Sequence, residues 1–150
     1  GGRILRLKKY IKDDEFLMTY GDGLSNINLK KLISYHRKSK SIATLSAVRP
    51  PVRFGEIKIS NDGKVKQFKE KPQASQNWIN GGFFIMSKGV FNFIKDDTTI
   101  LEKKTFEKLA KNKKLYAYKH YKFWQCMDTL REKKYLNKIW SNGNAPWKKW

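Results

Sequence analysis

Four short segments set chemistry-bearing side chains where the backbone could leave room for a ligand. In Thr19-Tyr20-Gly21-Asp22-Gly23 a carboxylate stands between two glycines, directly after the apolar run from Glu15 to Tyr20. Such a carboxylate can approach a metal ion and phosphates without neighbouring side chains in the way. An ordinary Asp-Gly turn has the same letters. In Glu70-Lys71-Pro72 the carboxylate can accept from sugar hydroxyls while the ammonium meets a phosphate as a point charge. A solvated charge pair ahead of a proline is the plainer alternative. Trp78-Ile79-Asn80-Gly81-Gly82 sets an amide, which can both donate and accept, beside two glycines inside a strand-like run. Those glycines mark either a bulge or a place where a ligand nears the backbone. In Phe123-Trp124-Gln125-Cys126-Met127-Asp128-Thr129 a carboxylate lies between an apolar strand and a helix start. Asp128 then either caps that helix or leaves the cap to Thr129.

The other reactive side chains read as scaffold. His36 lies on the apolar stripe of a helix and is expected in the core. His120 has no triad partner in the sequence and no GxSxG elbow occurs, which argues against serine-hydrolase chemistry. Cys126 is the one cysteine. It excludes a disulfide framework and is expected to be a buried, unreactive thiol.

The elements that must position these segments follow from patterning. Glu15 to Tyr20 reads as a buried strand running into the Gly21-Asp22-Gly23 turn. Leu29, Leu32, Ile33 and His36 form one stripe of a helix started by Asn26 or Asn28, and Ser41 to Val48 is a β-branched strand stopped by Pro50-Pro51. Strand, helix, strand is the signature of a parallel α/β sheet, whose ligands sit at the carboxyl ends of its strands. Asp22 and Asp128 both fall at such ends. Glu56–Ser60 and Lys64–Lys69 alternate around Asn61-Asp62-Gly63, a hairpin signal. Beyond it come a strand from Trp78 to Met86, short helices near Gly89–Lys95 and Leu101–Lys111, and a strand at Leu115–Lys119. A helix from Thr129 to Trp140 stops at Asn142-Gly143.

Composition bounds what the chain can be. It has 150 residues, 33 Lys+Arg against 13 Asp+Glu, and a formal charge of +20. Apolar runs such as FLM and FFIM are too short to span a membrane, and no signal-peptide pattern opens the chain. A reducing, cytoplasmic setting is the expectation. The positive charge is made of 27 Lys and only 6 Arg, scattered in pairs, with no zinc-finger or RNA-recognition spacing. It therefore reads as a lysine-rich surface with no specific nucleic-acid partner; a non-catalytic polyanion-binding module is the competing reading.

Taken in order, GGRI, TYGDG, PPVRFGEI, FKEKP, WINGGFF, AYKH, FWQCMDTLREKKYL and APWKKW resemble the sugar-nucleotidyltransferases along nearly the whole chain, the cytidylyl-transferring members most of all. The resemblance implies an α/β fold with a Rossmann-like mixed sheet and a β-hairpin sugar-binding part, truncated at the N-terminus. It makes residues 1–150 the C-terminal part of a single nucleotidyltransferase domain. The implied reaction joins CTP and α-D-glucose 1-phosphate into CDP-glucose and pyrophosphate, for surface-polysaccharide sugars such as those of lipopolysaccharide O-antigen. A thymidylyltransferase is the alternative within the family. Carried over by position, Asp22 and Asp128 hold Mg²⁺, Arg3 meets the nucleotide, and Tyr20 and Gly21 line the substrate site. Glu70 and Asn80 bind glucose hydroxyls, Lys71 meets the sugar phosphate, and Gly81-Gly82 give the sugar room. Family members are oligomers, so a homo-oligomer is implied, with Trp140, Trp147 and Trp150 as candidate interface residues. The family's GGxGTR triphosphate loop has no counterpart here, so the 150 residues alone are expected to lack turnover, and Cys126 stands where the family usually has proline.

Overall fold

The computed structural model describes residues 1–51, 55–70 and 77–149. The chain opens with helix α1 (Gly2–Leu7), a 3₁₀ turn (Lys8–Tyr10), strand β1 (Glu15–Thr19), strand β2 (Gly23–Ser25), helix α2 (Leu29–Ser39) and strand β3 (Ala43–Val48). The hairpin β4 (Glu56–Ile59) and β5 (Val65–Lys69) comes next, followed by the long strand β6 (Ile79–Ser87) and a 3₁₀ turn (Lys88–Phe93). A π-helix (Leu101–Phe106) runs into α3 (Glu107–Lys111), and the chain closes with β7 (Leu115–Lys119), β8 (Trp124–Cys126) and α4 (Leu130–Ser141).

The main sheet has the order β1-β6-β3-β7 and is mixed. β3 and β7 are parallel, whereas β6 lies antiparallel to both β1 and β3. The strand–helix–strand signature of β1, α2 and β3 therefore does not make β1 and β3 neighbours, because β6 is inserted between them. The reason is burial. Phe84, Ile85 and Met86 are consecutive and all at most 1% exposed, the pattern of a strand covered on both faces, which belongs at the centre of a sheet. No residue of β1 is fully buried, and that strand takes the edge.

Each face of the sheet has its own cover. Ala43, Phe84 and Met86 pack against Val90, Phe91, Ile94, Leu101, Phe106 and Leu109 from the segment between β6 and β7. The opposite face receives α2, through fully buried Leu32 and His36. Asn28, not Asn26, starts α2: its side chain accepts from Lys31 N–H at 2.9 Å. The expected Gly89–Lys95 helix is a 3₁₀ turn, and the expected Leu101–Lys111 helix begins as a π-helix. The opening helix α1 was not legible. It is pinned by Gly2, which approaches Thr99 and Asp97 so closely that a Cβ would lie 1.8 Å from the Asp97 carbonyl oxygen. Arg6 adds an ion pair to the Asp97 carboxylate.

Two expected features stand apart from the sheet. In the β4–β5 hairpin the expected strands and Asn61-Asp62-Gly63 turn are present, with Gly63 at φ 83°, but every strand residue is exposed. Near the C-terminus, Trp147 stacks on Phe123 at 5.3 Å and on Trp140 at 6.5 Å, so these rings pack on their own chain, and Trp150 lies outside the described residues. Among the described residues no helix is long and apolar enough to cross a membrane.

His36 is the core histidine its helix stripe predicts, and its bonds tie three elements together. Nδ1 meets Thr44 Oγ1 at 2.9 Å and Ser41 Oγ at 3.0 Å, and Nε2 meets Ser87 Oγ at 3.1 Å. Burial holds the imidazole below its ordinary value of 6.5, only partly opposed by the Glu15 carboxylate. A histidine depressed in the folded state stabilises the fold above its unfolded pKa and loses that contribution as pH falls through its folded value. Urea unfolding should therefore show stability dropping as pH is lowered from 6.5, with a shallower drop in His36→Gln.

Candidate functional site

The site is organised by a bulge in β6. Leu45 pairs with Phe84 and Ala47 with Asn80, so two steps along β3 match four along β6. The surplus residues include Gly81 and Gly82. A Cβ on Gly81 would lie 2.7 Å from both Ser46 Oγ and Val48 Cγ1. Gly82 has φ 77°, and a Cβ there would lie 2.8 Å from the Tyr20 ring. Both glycines are therefore demanded by close protein packing at the bulge. The room their missing side chains leave is filled by Ser46, Val48 and Tyr20, which departs from the expectation that it serves a sugar.

Three loops converge on this bulge. Tyr20 N–H donates to the Gly82 carbonyl at 2.9 Å, extending β1 along β6. Trp124 Nε1–H donates to the Gly81 carbonyl at 2.8 Å. Gly23 lies against the same carbonyl, where a Cβ would make ordinary contact at 3.7 Å. Trp124 and Gly23 belong to β8 and β2, which form a small antiparallel sheet with Gly23 opposite Cys126 and Ser25 opposite Trp124. That pairing is the physical link between the two acidic segments. Met127 N–H donates to the Asp22 carbonyl at 2.8 Å, so the Asp22 and Asp128 backbones both lie at one end of the ladder.

The question whether Asp128 caps α4 has a direct answer. Thr129 is the N-cap: its hydroxyl accepts from Glu132 N–H at 3.3 Å, while Glu132 Oε2 accepts from the N–H groups of Thr129 and Asp128, each at 3.0 Å. The Asp128 carboxylate is left for other work. Among the described residues neither the Asp22 nor the Asp128 carboxylate has a hydrogen-bond or ion-pair partner.

Two donor sets could be considered for a cation. Cys126, Asp128 and Glu132 bring potential ligand atoms within 4.8 Å of one another, but a thiol is a soft donor and the Glu132 carboxylate is occupied by the capping box. Asp22 and Asp128 offer oxygen donors only, the type a hard cation such as Mg²⁺ takes. By donor chemistry the second set fits and the first does not.

Asn80 and Tyr20 are joined by a third residue that the sequence reading missed. Asn80 Oδ1 accepts from Gly82 N–H at 3.0 Å, and Asn80 Nδ2 donates to the Tyr20 hydroxyl at 3.2 Å. That hydroxyl in turn donates to the Glu102 carboxylate. Burial, reinforced by Glu102, pushes the phenol well above its ordinary value and keeps it protonated. A lone Glu between a leucine and two lysines reads as a solvated charge, and no signal in the sequence points to it.

The remaining expected site residues lie elsewhere. Gly21 is exposed beside Asp22. Arg3 is exposed on α1, whose start is bonded to Thr99, near Glu102 in the chain (Gly2 N–H to Thr99 carbonyl, 3.2 Å). Glu70 follows β5, at the base of the exposed hairpin, and Lys71 lies outside the described residues. His120 is structural. Its Nε2 faces Ser25 Oγ at 3.2 Å and the Phe123 carbonyl at 3.1 Å, while the Ser25 hydroxyl donates to that carbonyl at 2.9 Å. Burial lowers its pKa. Ser25 is thus not poised as a nucleophile. Cys126 is half-buried rather than fully buried, with its thiol toward Glu132 Oε1 at 3.8 Å.

The family model described as nucleotidyl transferase matches residues 3–139. The chain is 46% identical to a glucose-1-phosphate cytidylyltransferase of Salmonella typhimurium, over all of this chain and 58% of that relative. It is 31% identical to a mannose-1-phosphate guanylyltransferase catalytic subunit beta of Drosophila pseudoobscura pseudoobscura, over 82% of this chain and 33% of that protein. The crystal structure of HddC from Yersinia pseudotuberculosis shares the fold, with a TM-score of 0.66 at 23% identity, covering 93% of this chain and 61% of that one. The chain thus spans less than two-thirds of the length of these proteins.

The capping geometry makes a separable prediction. Thr129→Ala should cost about 1 kcal/mol in denaturant unfolding, whereas Asp128→Asn should change stability by no more than about 0.5 kcal/mol. Equal losses would return the cap to Asp128.

Proposed function

Because the chain belongs to the nucleotidyl transferase family, we propose that the protein carrying it transfers a cytidylyl group from CTP to α-D-glucose 1-phosphate, releasing pyrophosphate and forming CDP-glucose. The observation that carries this reading is the convergence of the Asp22, Asp128 and Asn80 loops on one bulge. The choice of CTP and glucose 1-phosphate rests on 46% identity to a relative of that name. We read residues 1–150 as the C-terminal part of one nucleotidyltransferase domain, in a cytoplasmic homo-oligomer that supplies sugar nucleotides for surface polysaccharide such as lipopolysaccharide O-antigen.

In this reading an oxygen of the sugar phosphate attacks the α-phosphorus of the nucleotide in line, and pyrophosphate leaves. No covalent enzyme intermediate forms, so the protein's work is positioning and charge. Asp22 and Asp128 would hold a divalent cation, Mg²⁺ by the hardness of their donors, which when bound neutralises phosphate charge. Asn80 has one N–H and one lone pair still available after its bonds to Tyr20 and Gly82, and these match a sugar hydroxyl that accepts and donates. Glu70 is assigned to a second hydroxyl, Lys71 to the sugar phosphate, and Arg3 to the nucleotide. Tyr20 and Gly21 bring the β1 end up to the substrates, the first through the phenol and the second by leaving the approach to Asp22 open.

The test is pyrophosphate release by the full-length protein with each of the four common NTPs and either glucose 1-phosphate or mannose 1-phosphate. CTP with glucose 1-phosphate should be the preferred pair. Turnover with dTTP or GTP but not CTP would replace the cytidylyl reading by another member of the same reaction class. Asp22→Asn should lower kcat by about two orders of magnitude or more with the fold intact by circular dichroism. Undiminished turnover would remove Asp22 from the site.

A further inference from the structure

A polar chain of fixed direction runs from the core of the bulge to the surface, and its outer end has no part in the reaction as described above. Gly82 N–H can only donate, so the Asn80 atom facing it at 3.0 Å is the amide oxygen. Asn80 therefore turns its NH₂ toward Tyr20, 3.2 Å away, and the Tyr20 oxygen must accept. Its own proton then goes to the Glu102 carboxylate, an acceptor with no competing proton. Every link has one possible polarity once Glu102 is present.

Without Glu102 the Gly82 N–H still selects the Asn80 amide oxygen, but the Tyr20 link loses its fixed polarity. The Tyr20 proton would be free to rotate toward Asn80 Nδ2, donor against donor, and the amide would keep only its bond from Gly82 N–H. The donor and acceptor left for a ligand would then be held by one bond instead of two. The phenol ring cannot adapt by moving. It is wedged between the Gly82 backbone and Phe84, with ring centroids 5.1 Å apart at 62°. Glu102 itself is delivered by the π-helix, whose buried residues Leu101, Thr105 and Phe106 anchor it to the core. A π turn is uncommon and is retained mainly where it places a group that an α turn would not.

We propose that Glu102 is a positioning residue for sugar recognition, acting through the Tyr20 hydroxyl to hold the Asn80 amide in the orientation that meets a hydroxyl of the sugar phosphate. This rests on the function proposed above. Glu102 touches no substrate, and it secures the orientation in which Asn80 meets the sugar.

The experiment is steady-state kinetics on the full-length protein carrying Glu102→Ala, Glu102→Gln, Tyr20→Phe and the Tyr20→Phe/Glu102→Ala pair, with each substrate varied in turn. Glu102→Ala should raise KM for the sugar phosphate about tenfold, the loss expected for a hydrogen bond to a charged group, and leave KM for the nucleotide unchanged. Glu102→Gln, whose amide oxygen can still accept, should recover to within about threefold of wild type. In the Tyr20→Phe background Glu102→Ala should have no further effect, since the link it works through is gone. Unchanged KM in Glu102→Ala, an equal rise for both substrates, or full additivity with Tyr20→Phe would overturn the proposal. If Glu102→Ala does not fold, Glu102→Gln in the two backgrounds gives the same reading: an added effect beyond Tyr20→Phe overturns it, and none upholds it. Failure of the wild-type protein with every nucleotide and sugar phosphate would instead bring down the functional reading, and this inference with it.

Discussion

The bulge at Gly81-Gly82 is the constraint on which the rest of the site depends. A regular β6 would pair residue for residue with β3 and present flat, side-chain-bearing backbone to β1. With surplus residues in left-handed and tightly packed conformations, β6 instead turns two carbonyls outward, one to Tyr20 N–H and one to the Trp124 indole. The first fixes how β1 ends, and the second seats the β2–β8 ladder. Both acidic loops thus take their positions from one irregularity near the end of a buried strand. Central burial of Phe84, Ile85 and Met86 makes that strand rigid enough to serve as a reference.

Charge distribution agrees with this placement. In a chain with 33 Lys+Arg against 13 Asp+Glu, several carboxylates find a cation or a capping role, as Asp97 does with Arg6, Glu15 with Arg37, and Glu132 in the capping box. Among the described residues the Asp22 and Asp128 carboxylates do neither. Carboxylates without a counter-charge are available to a hard cation, as the proposed function asks of these two. The lysine-rich surface has a different role. Exposed ammonium groups attract anions in general without recognising any one of them.

The parts of the fold governed by local chemistry were legible in the sequence: the α2 stripe, the hairpin turn, the alternating β7 and the N-cap alternatives around Asp128. Parts governed by long-range pairing were not. Nothing in β1 or β3 announces that β6 will enter between them, because strand order depends on which strand buries both faces. The three-residue strands β2 and β8 are too short to leave a periodic signal, yet they join the two acidic segments. α1 begins with two glycines, which argue against a helix locally, and only the tertiary contact of Gly2 with Asp97 explains its place. Glu102 was hidden for a related reason. Its partner Tyr20 is remote in sequence, and a glutamate between leucine and lysines looks like any solvated helix residue. The glycine pair was read correctly as an irregularity, with the bulge and ligand alternatives both open; its packing against Ser46, Val48 and Tyr20 identifies the bulge.

In the proposed function the β2–β8 ladder makes one cation site from two carboxylates that lie far apart in the chain. Crystals of the full-length protein grown with Mn²⁺ and a nucleotide, with data collected at the manganese edge, test it directly. The account predicts an anomalous peak within coordination distance of both the Asp22 and Asp128 carboxylates. A peak held by Cys126, Asp128 and Glu132 without Asp22, or a bound nucleotide with no metal at either aspartate, would contradict it.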